Sequence, residues 1–340
     1  MLPELFTIPF INISVKSYGF MMVLAFFAAM SLAKYRCKKL GVDSEEMANL
    51  SLAALFLGVI GARLFHVIHN WSALYADNLL EAFKVWNGGL EFLGGFIFST
   101  VAFLAYAYFR KRPMLNMLDI MAPALMIGLG IGRIGCLLNG CCFGAPCDVP
   151  WAITFPPINE ISQMGETGVG YRYSPPYESQ IYPTLDRSKT LEPLVALPDA
   201  FTSGFSDGIV PQPVASPEML PKGAPFFKVP KSAGELSDNQ RAQLSTDFAM
   251  VPIHPTQLYS FVNGVIACLL LNLCFRIRKY RGQIFAWMLI YYGFARFILE
   301  SLRFDNPIEA TGLTISQNLG IVAIVLGVIL HIVLRKRTVV

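Results

Sequence analysis

Apolar stretches of roughly membrane-spanning length recur along the chain, near 17–35, 48–68, 89–109, 117–138, 256–275, 283–303 and 314–334. A helix needs about 20 predominantly apolar residues to cross a bilayer core, so the pattern predicts seven transmembrane helices. Two of these stretches are broken by charge: 117–138 holds Asp119 and Arg133, and 283–303 holds Arg296 and Glu300. Between Gly144 and Ile253 the pattern changes. That segment is dense in Pro, Gly, Ser and Asp, and segments such as Ser174 to Tyr177 and Val210 to Val214 read as turns and extended or polyproline II chain. The expected organisation is helices 1–4 over 1–144, a loop-rich head over 145–253, and helices 5–7 over 254–340.

Composition agrees with the pattern. The chain is 54% hydrophobic and 15% charged, whereas soluble domains carry roughly 25% charge. The fold class is all-α integral membrane. The formal net charge of +4 calls for no nucleic-acid partner, because the basic residues cluster at alternate span boundaries. They follow the first span (Lys34, Arg36, Lys38, Lys39), the third (Arg110, Lys111, Arg112), the fifth (Arg276, Arg278, Lys279, Arg281) and the seventh (Arg335, Lys336, Arg337). Cytoplasmic loops concentrate Lys and Arg, which puts the N-terminus and the head outside and the C-terminus in the cytoplasm. Residues 1–12 carry no Lys or Arg and so lack the basic region of a cleavable signal peptide; the first span is expected to stay in the protein.

An ionisable side chain at membrane depth costs about 2.5–3.5 kcal/mol on insertion scales, so each one needs a partner or a wet cavity. Three clusters qualify. The first is Gly132-Arg133-Ile134-Gly135-Cys136, continuing through Asn139-Gly140-Cys141-Cys142 to Gly144. The second is a polar stripe of Tyr292, Arg296, Glu300 and Arg303 at helical spacing. The third, His254-Pro255-Thr256-Gln257-Leu258-Tyr259, opens the fifth span, where Thr256 is placed to cap the helix. Glu300 neutralises one of two guanidiniums in the stripe, and Arg133 adds another positive charge. A phosphate, which guanidinium recognises bidentately, would balance the surplus, and a phospholipid head group fits.

Together with Ser17-Tyr18-Gly19 and the run from Gly88 to Gly95, these clusters form five blocks in order, and the chain resembles the prolipoprotein diacylglyceryl transferase family. That resemblance implies a seven-helix bundle in the bacterial cytoplasmic membrane. The implied reaction moves the diacylglyceryl group of phosphatidylglycerol to the lipobox cysteine of a prolipoprotein signal peptide, releasing glycerol phosphate, with no cofactor and no metal. By the same resemblance Arg133 and Arg296 bind and neutralise the phosphate as it leaves, Glu300 and Arg303 hold the arginine network, and Tyr18, Asn139, Gly144 and Tyr292 meet the head group.

Two positions depart from the family's pattern. Leu93 stands where many members carry the His taken as the base for the thiol, which leaves Glu91 and His254 as candidate bases, although a thiol beside arginines loses its proton with little help. Cys136, Cys141 and Cys142 replace the Asn and acidic residue that many members carry. With Cys147 they are open to three readings: interior packing, a disulfide near the outer face, or a metal site, for which the paired Cys-x-x-Cys spacing of zinc is missing. His66 and His69 read as interfacial and His331 as interior or interfacial. The competing functional classes are an anion transporter or channel, a receptor or assembly factor, and a diverged family paralogue.

Overall fold

The computed structural model describes residues 2–8, 13–71, 75–76, 79–83, 89–145, 147–156, 158–162, 169–173, 194–196, 226–228, 252–303 and 312–337. The turns expected at 174–177 and 210–214 lie outside these residues. The chain opens with a hairpin of β1 (Glu4–Ile8) and β2 (Ile13–Lys16) and continues into α1 (Ser17–Leu40), α2 (Ser44–His69), a 3₁₀ turn (Leu79–Phe83), α3 (Phe92–Phe109) and α4 (Met114–Asn139). Two further antiparallel strand pairs follow, β3 (Ile158–Ser162) with β4 (Val169–Tyr173) and β5 (Leu194–Ala196) with β6 (Phe226–Lys228). The chain closes with α5 (Thr256–Cys274), α6 (Gln283–Ser301) and α7 (Ile315–Arg337). The three antiparallel strand pairs among the described residues are strand content that the reading of an all-α protein with a turn-rich head did not include.

Six of these helices are long and apolar enough to cross a membrane, and Leu93–Phe109 is a shorter apolar helix. Large side chains such as Phe96, Tyr108, Phe294, Val322 and Ile329 stand exposed along them. Soluble monomers rarely carry contiguous apolar surface on that scale, and hydrocarbon is the solvent that suits it. The protein is a multi-pass membrane protein. The third helix starts at Phe92 rather than near 89, because Gly89 takes a left-handed φ of 73°.

Chain contacts form two compact units. One comprises 1–25, 129–265 and 293–321; the other comprises 26–128, 266–292 and 322–340. In the second unit, α2 and α3 meet through glycines. A Cβ on Gly61 would lie 2.5 Å from Phe98 Cβ and 2.6 Å from the Gly94 carbonyl, so these backbones touch in the manner of small-residue membrane interfaces. Ala33, Cys37, Met47, Leu50, Phe103, Met117, Ile120 and Ala124 form one buried cluster there. Ala122, Met126, Ala267, Cys268, Leu271, Ile284 and Met288 form another.

Asp119, the charge that interrupted the fourth stretch, is fully buried in the second unit. It accepts hydrogen bonds from the backbone of Gly282 at 2.7 Å and Phe285 at 2.9 Å, and it pairs with Arg278 at 3.1 Å. Its carboxylate thus satisfies orphan amides in the first turn of α6, where the helix dipole also favours negative charge. His331 accepts from Trp287 Nε1 at 3.2 Å and pairs with the Tyr280 hydroxyl; burial pushes that phenol above its ordinary range.

Candidate active site

The first unit holds both arginine blocks, and the end of α4 begins the site. Asn139 is the last helical residue, Gly140 turns into the left-handed region at φ 75°, and the amides of Gly140 and Cys141 return to the carbonyls of Leu137 (3.2 Å) and Cys136 (3.0 Å). That double return is a Schellman C-cap, which brings the residue two beyond the cap against the last helical turn. Cys141 therefore lies against Cys136, its Sγ 3.8 Å from the Cys136 carbonyl. Cys142 follows at φ 61°, a conformation that costs a non-glycine residue roughly 1–2 kcal/mol. The sulfurs of Cys136, Cys141 and Cys142 lie within 4.8 Å of one another, and all seven cysteines are free thiols.

Past this turn the chain joins two other segments edge to edge. Gly144 N donates to His254 O (3.0 Å), His254 N to Ala145 O (3.0 Å) and Ala145 N to Leu302 O (2.9 Å), and Gly144 bridges antiparallel to Arg303. Gly144, expected to meet the head group, has a packing reason to be glycine: a Cβ would fall 2.5 Å from His254 Cβ. Thr256 does not cap its helix as expected. Its hydroxyl donates instead to the Cys142 carbonyl at 2.8 Å, while Gln257 Nε2 donates to the Cys141 carbonyl at 2.9 Å. Both side chains are buried, and Gln257 Oε1 has no hydrogen-bond partner among the described residues.

Glu300 is the electrostatic centre. Its side chain is 0% exposed; Arg296 lies 3.0 Å and Arg303 3.7 Å from Oε2, and the Thr314 hydroxyl donates to Oε1 at 3.2 Å. Arg296 also donates to Ser316 Oγ at 2.7 Å. The stripe expected on one helix is shorter than its spacing suggested. Helix α6 ends at Ser301, so Arg303 reaches Glu300 from the turn beyond, its amide on the Glu300 carbonyl at 3.0 Å. Tyr292, one turn before Arg296 in sequence, belongs to the second unit and packs on the apolar cluster of Met126 and Met288. Arg296 and Arg303 both pair with Glu300, and Arg133 lies on α4 in the same unit. Arg303 and Arg133 both act on Cys142, whose thiol is held well below its ordinary range by the Cys136 and Cys141 thiols donating to it and by those two guanidiniums. Tyr18 packs beside α4, where a Cβ on Gly135 would lie 3.4 Å from its Cα.

The two candidate bases belong to different units. His254 Nδ1 lies 3.3 Å from the Tyr259 hydroxyl, which accepts from Trp151 Nε1 at 2.6 Å. Glu91, in the second unit, sits 2.7 Å from His69 Nδ1 and 3.7 Å from His66 Nδ1. The two histidines read as interfacial are thus neighbours of Glu91, His69 within hydrogen-bonding distance. Arg63 was not singled out in the sequence, though it is a lone guanidinium inside the second apolar stretch. It is buried, donates to the carbonyls of Ala82 (2.8 Å) and Gly89 (3.1 Å), and lies 5.4 Å from the centroid of the Tyr75 ring. Thr314 was missed as well, although Thr314-Ile-Ser-Gln317 reads as a capping box. The box forms, Thr314 N to Gln317 Oε1 at 3.0 Å and Gln317 N to Thr314 Oγ1 at 3.2 Å.

A buried carboxylate holds two guanidiniums here, with Arg133 on α4 of the same unit. Comparison with known proteins supplies the family. The phosphatidylglycerol–prolipoprotein diacylglyceryl transferase of Erwinia tasmaniensis is 30% identical over 334 residues, covering 96% of this chain and 90% of that protein. The proteins of the same name from Yersinia enterocolitica (29% identical; 96% of this chain, 91% of that protein) and Proteus mirabilis (28%; 96% and 90%) are similar. The family described as prolipoprotein diacylglyceryl transferase matches residues 3–333; this chain belongs to that family and is an enzyme of the diacylglyceryl transferase class.

Proposed function

We propose that this protein transfers the diacylglyceryl group of phosphatidylglycerol to the lipobox cysteine of prolipoproteins, releasing glycerol phosphate, and thereby begins lipoprotein maturation. The observation that carries the reading is the buried Glu300 flanked by Arg296 and Arg303. One carboxylate fixes both guanidiniums, and their planar forks suit the oxygens of a phosphate. When the thiolate attacks the glyceryl carbon, negative charge grows on the departing phosphate oxygens. Preplaced donors in a water-poor site stabilise such charge far better than water does, each one worth about 10²–10³ in rate.

In this reading Arg133 and Arg296 hold the phosphate, Glu300 and Arg303 position them, and Tyr18, Asn139, Gly144 and Tyr292 shape the head-group site. Glu91 and His254 are the candidate bases. His254 Nδ1 lies 3.3 Å from the Tyr259 hydroxyl, which accepts from Trp151. Glu91 Oε2 takes the close contact with His69, and Oε1 keeps lone pairs for a thiol proton. All seven apolar helices, α3 included, span the bacterial inner membrane with the N-terminus and the 145–253 head outside.

The test is transfer of labelled diacylglycerol, by purified protein in micelles containing phosphatidylglycerol, to a lipobox peptide and to its Cys→Ser counterpart. Label on the thiol peptide alone is expected. Folded protein that labels neither peptide would overturn the proposal.

A further inference from the structure

We propose that Cys136, Cys141 and Cys142 form a three-thiolate site for a soft monovalent metal ion, Cu(I) being the one the donor set fits. The three sulfurs already lie within 4.8 Å of one another, and an ion with three metal–sulfur bonds of about 2.3 Å draws its ligands to about 4.0 Å apart, a closure that side-chain rotation can supply. Chain geometry produces this convergence. The Schellman turn folds Cys141 back on Cys136, and the left-handed backbone at Cys142 brings in the third sulfur.

The scaffold behind the sulfurs is fixed. Thr256 and Gln257 hold the carbonyls of Cys142 and Cys141 from buried positions. Such supporting hydrogen bonds orient metal ligands and are what loosely placed thiols lack.

The donor set selects the ion. Zinc in structural sites takes four ligands, and the cluster that the described residues offer is three sulfurs with no His, Asp or Glu among them. Thiolate-only sites favour soft ions, Cu(I) foremost. Charge agrees with the match: three thiolates with one Cu(I) carry −2, and two guanidiniums belong to the same unit, Arg303 on the segment that bridges Gly144 and Arg133 on α4 ahead of Cys136. Guanidiniums that suit a phosphate equally suit an anionic metal–thiolate centre.

The experiment is an anaerobic titration of the reduced full-length protein in detergent against a chromophoric Cu(I) chelator, with Zn(II) titrated in parallel. Wild-type protein is expected to withdraw one equivalent of Cu(I) from the chelator. The triple variant Cys136→Ser/Cys141→Ser/Cys142→Ser should lose that equivalent, and Cys142→Ala alone should weaken it by at least about 100-fold, more than loss of a supporting contact costs. Circular dichroism confirms that each variant keeps its helices, and Cys142→Ala, lying outside α4, serves if the triple variant does not fold. Three outcomes would overturn the proposal: no withdrawal by folded wild-type protein, undiminished withdrawal by the variants (which would move the site to other cysteines), or tighter binding of Zn(II) than of Cu(I). None of these readouts depends on transfer activity.

Discussion

Arg296 and Glu300 stand one helical turn apart with guanidinium and carboxylate 3.0 Å from each other, and the carboxylate side chain is wholly buried. Removing one partner of such a pair leaves an uncompensated buried charge, at a cost of about 3–5 kcal/mol. Glu300→Gln is therefore expected to lower the thermal midpoint in detergent and to abolish transfer, since it leaves Arg296 and Arg303 facing each other. A variant that melts with wild type would show that the pair is not the anchor of this site.

Lysine should not replace arginine in the cradle. It delivers a point charge rather than a planar fork, so Arg133→Lys and Arg296→Lys are each expected to lose about 10²–10³ in kcat while the fold is kept. Steady-state transfer to the lipobox peptide measures this. Near-normal rates in both lysine variants would mean that charge alone, without bidentate geometry, suffices.

Asp119 offers a contrast, because its partners are the backbone of Gly282 and Phe285 and the Arg278 guanidinium. Asp119→Asn keeps the shape and removes the charge. It leaves the buried Arg278 guanidinium uncompensated and should cost about 3–5 kcal/mol of stability, read as a lower melting temperature, while transfer per folded molecule changes little. A large fall in kcat with unchanged melting would assign Asp119 a part in the chemistry.

Gly61 is the tightest test of the α2–α3 packing. Gly61→Ala places a methyl where the Gly94 carbonyl and Phe98 stand, and overpacking of that kind typically costs about 1–3 kcal/mol. Lower yield and lower melting temperature are expected; unchanged values would mean that the two helices separate freely.

Much of this architecture was legible in hydropathy, because period and length alone mark a helix that must satisfy its own backbone in lipid. The helix bounds fall within about five residues of the apolar stretches, and turn chemistry accounts for two of the differences. Gly89 delays α3, and Ser301 ends α6 before Arg303. The arginine blocks were legible too, since charge in an apolar run is costly enough to be conspicuous. Contacts made by backbone carbonyls were not: Thr256 reads as a helix cap and instead holds Cys142. The convergence of three cysteines was hidden for a related reason. Spacing was tested against paired zinc motifs, whereas the proximity arises from a C-cap whose signal was Gly140. The pairing of Glu91 with His66 and His69 joins residues more than twenty positions apart in sequence, a distance over which local pattern carries no information.

Thr314 begins α7 and also donates to Glu300 at 3.2 Å. A residue with both duties imposes an order on biogenesis. While the chain is being threaded into the bilayer, α6 enters carrying a carboxylate that has Arg296 one turn away but lacks its hydroxyl donor, and that donor is supplied only when the final helix arrives. The same step sets Ser316 beside Arg296. Insertion of the last transmembrane segment is thus what completes the solvation of the charged centre, and a nascent chain halted after α6 would carry an immature site.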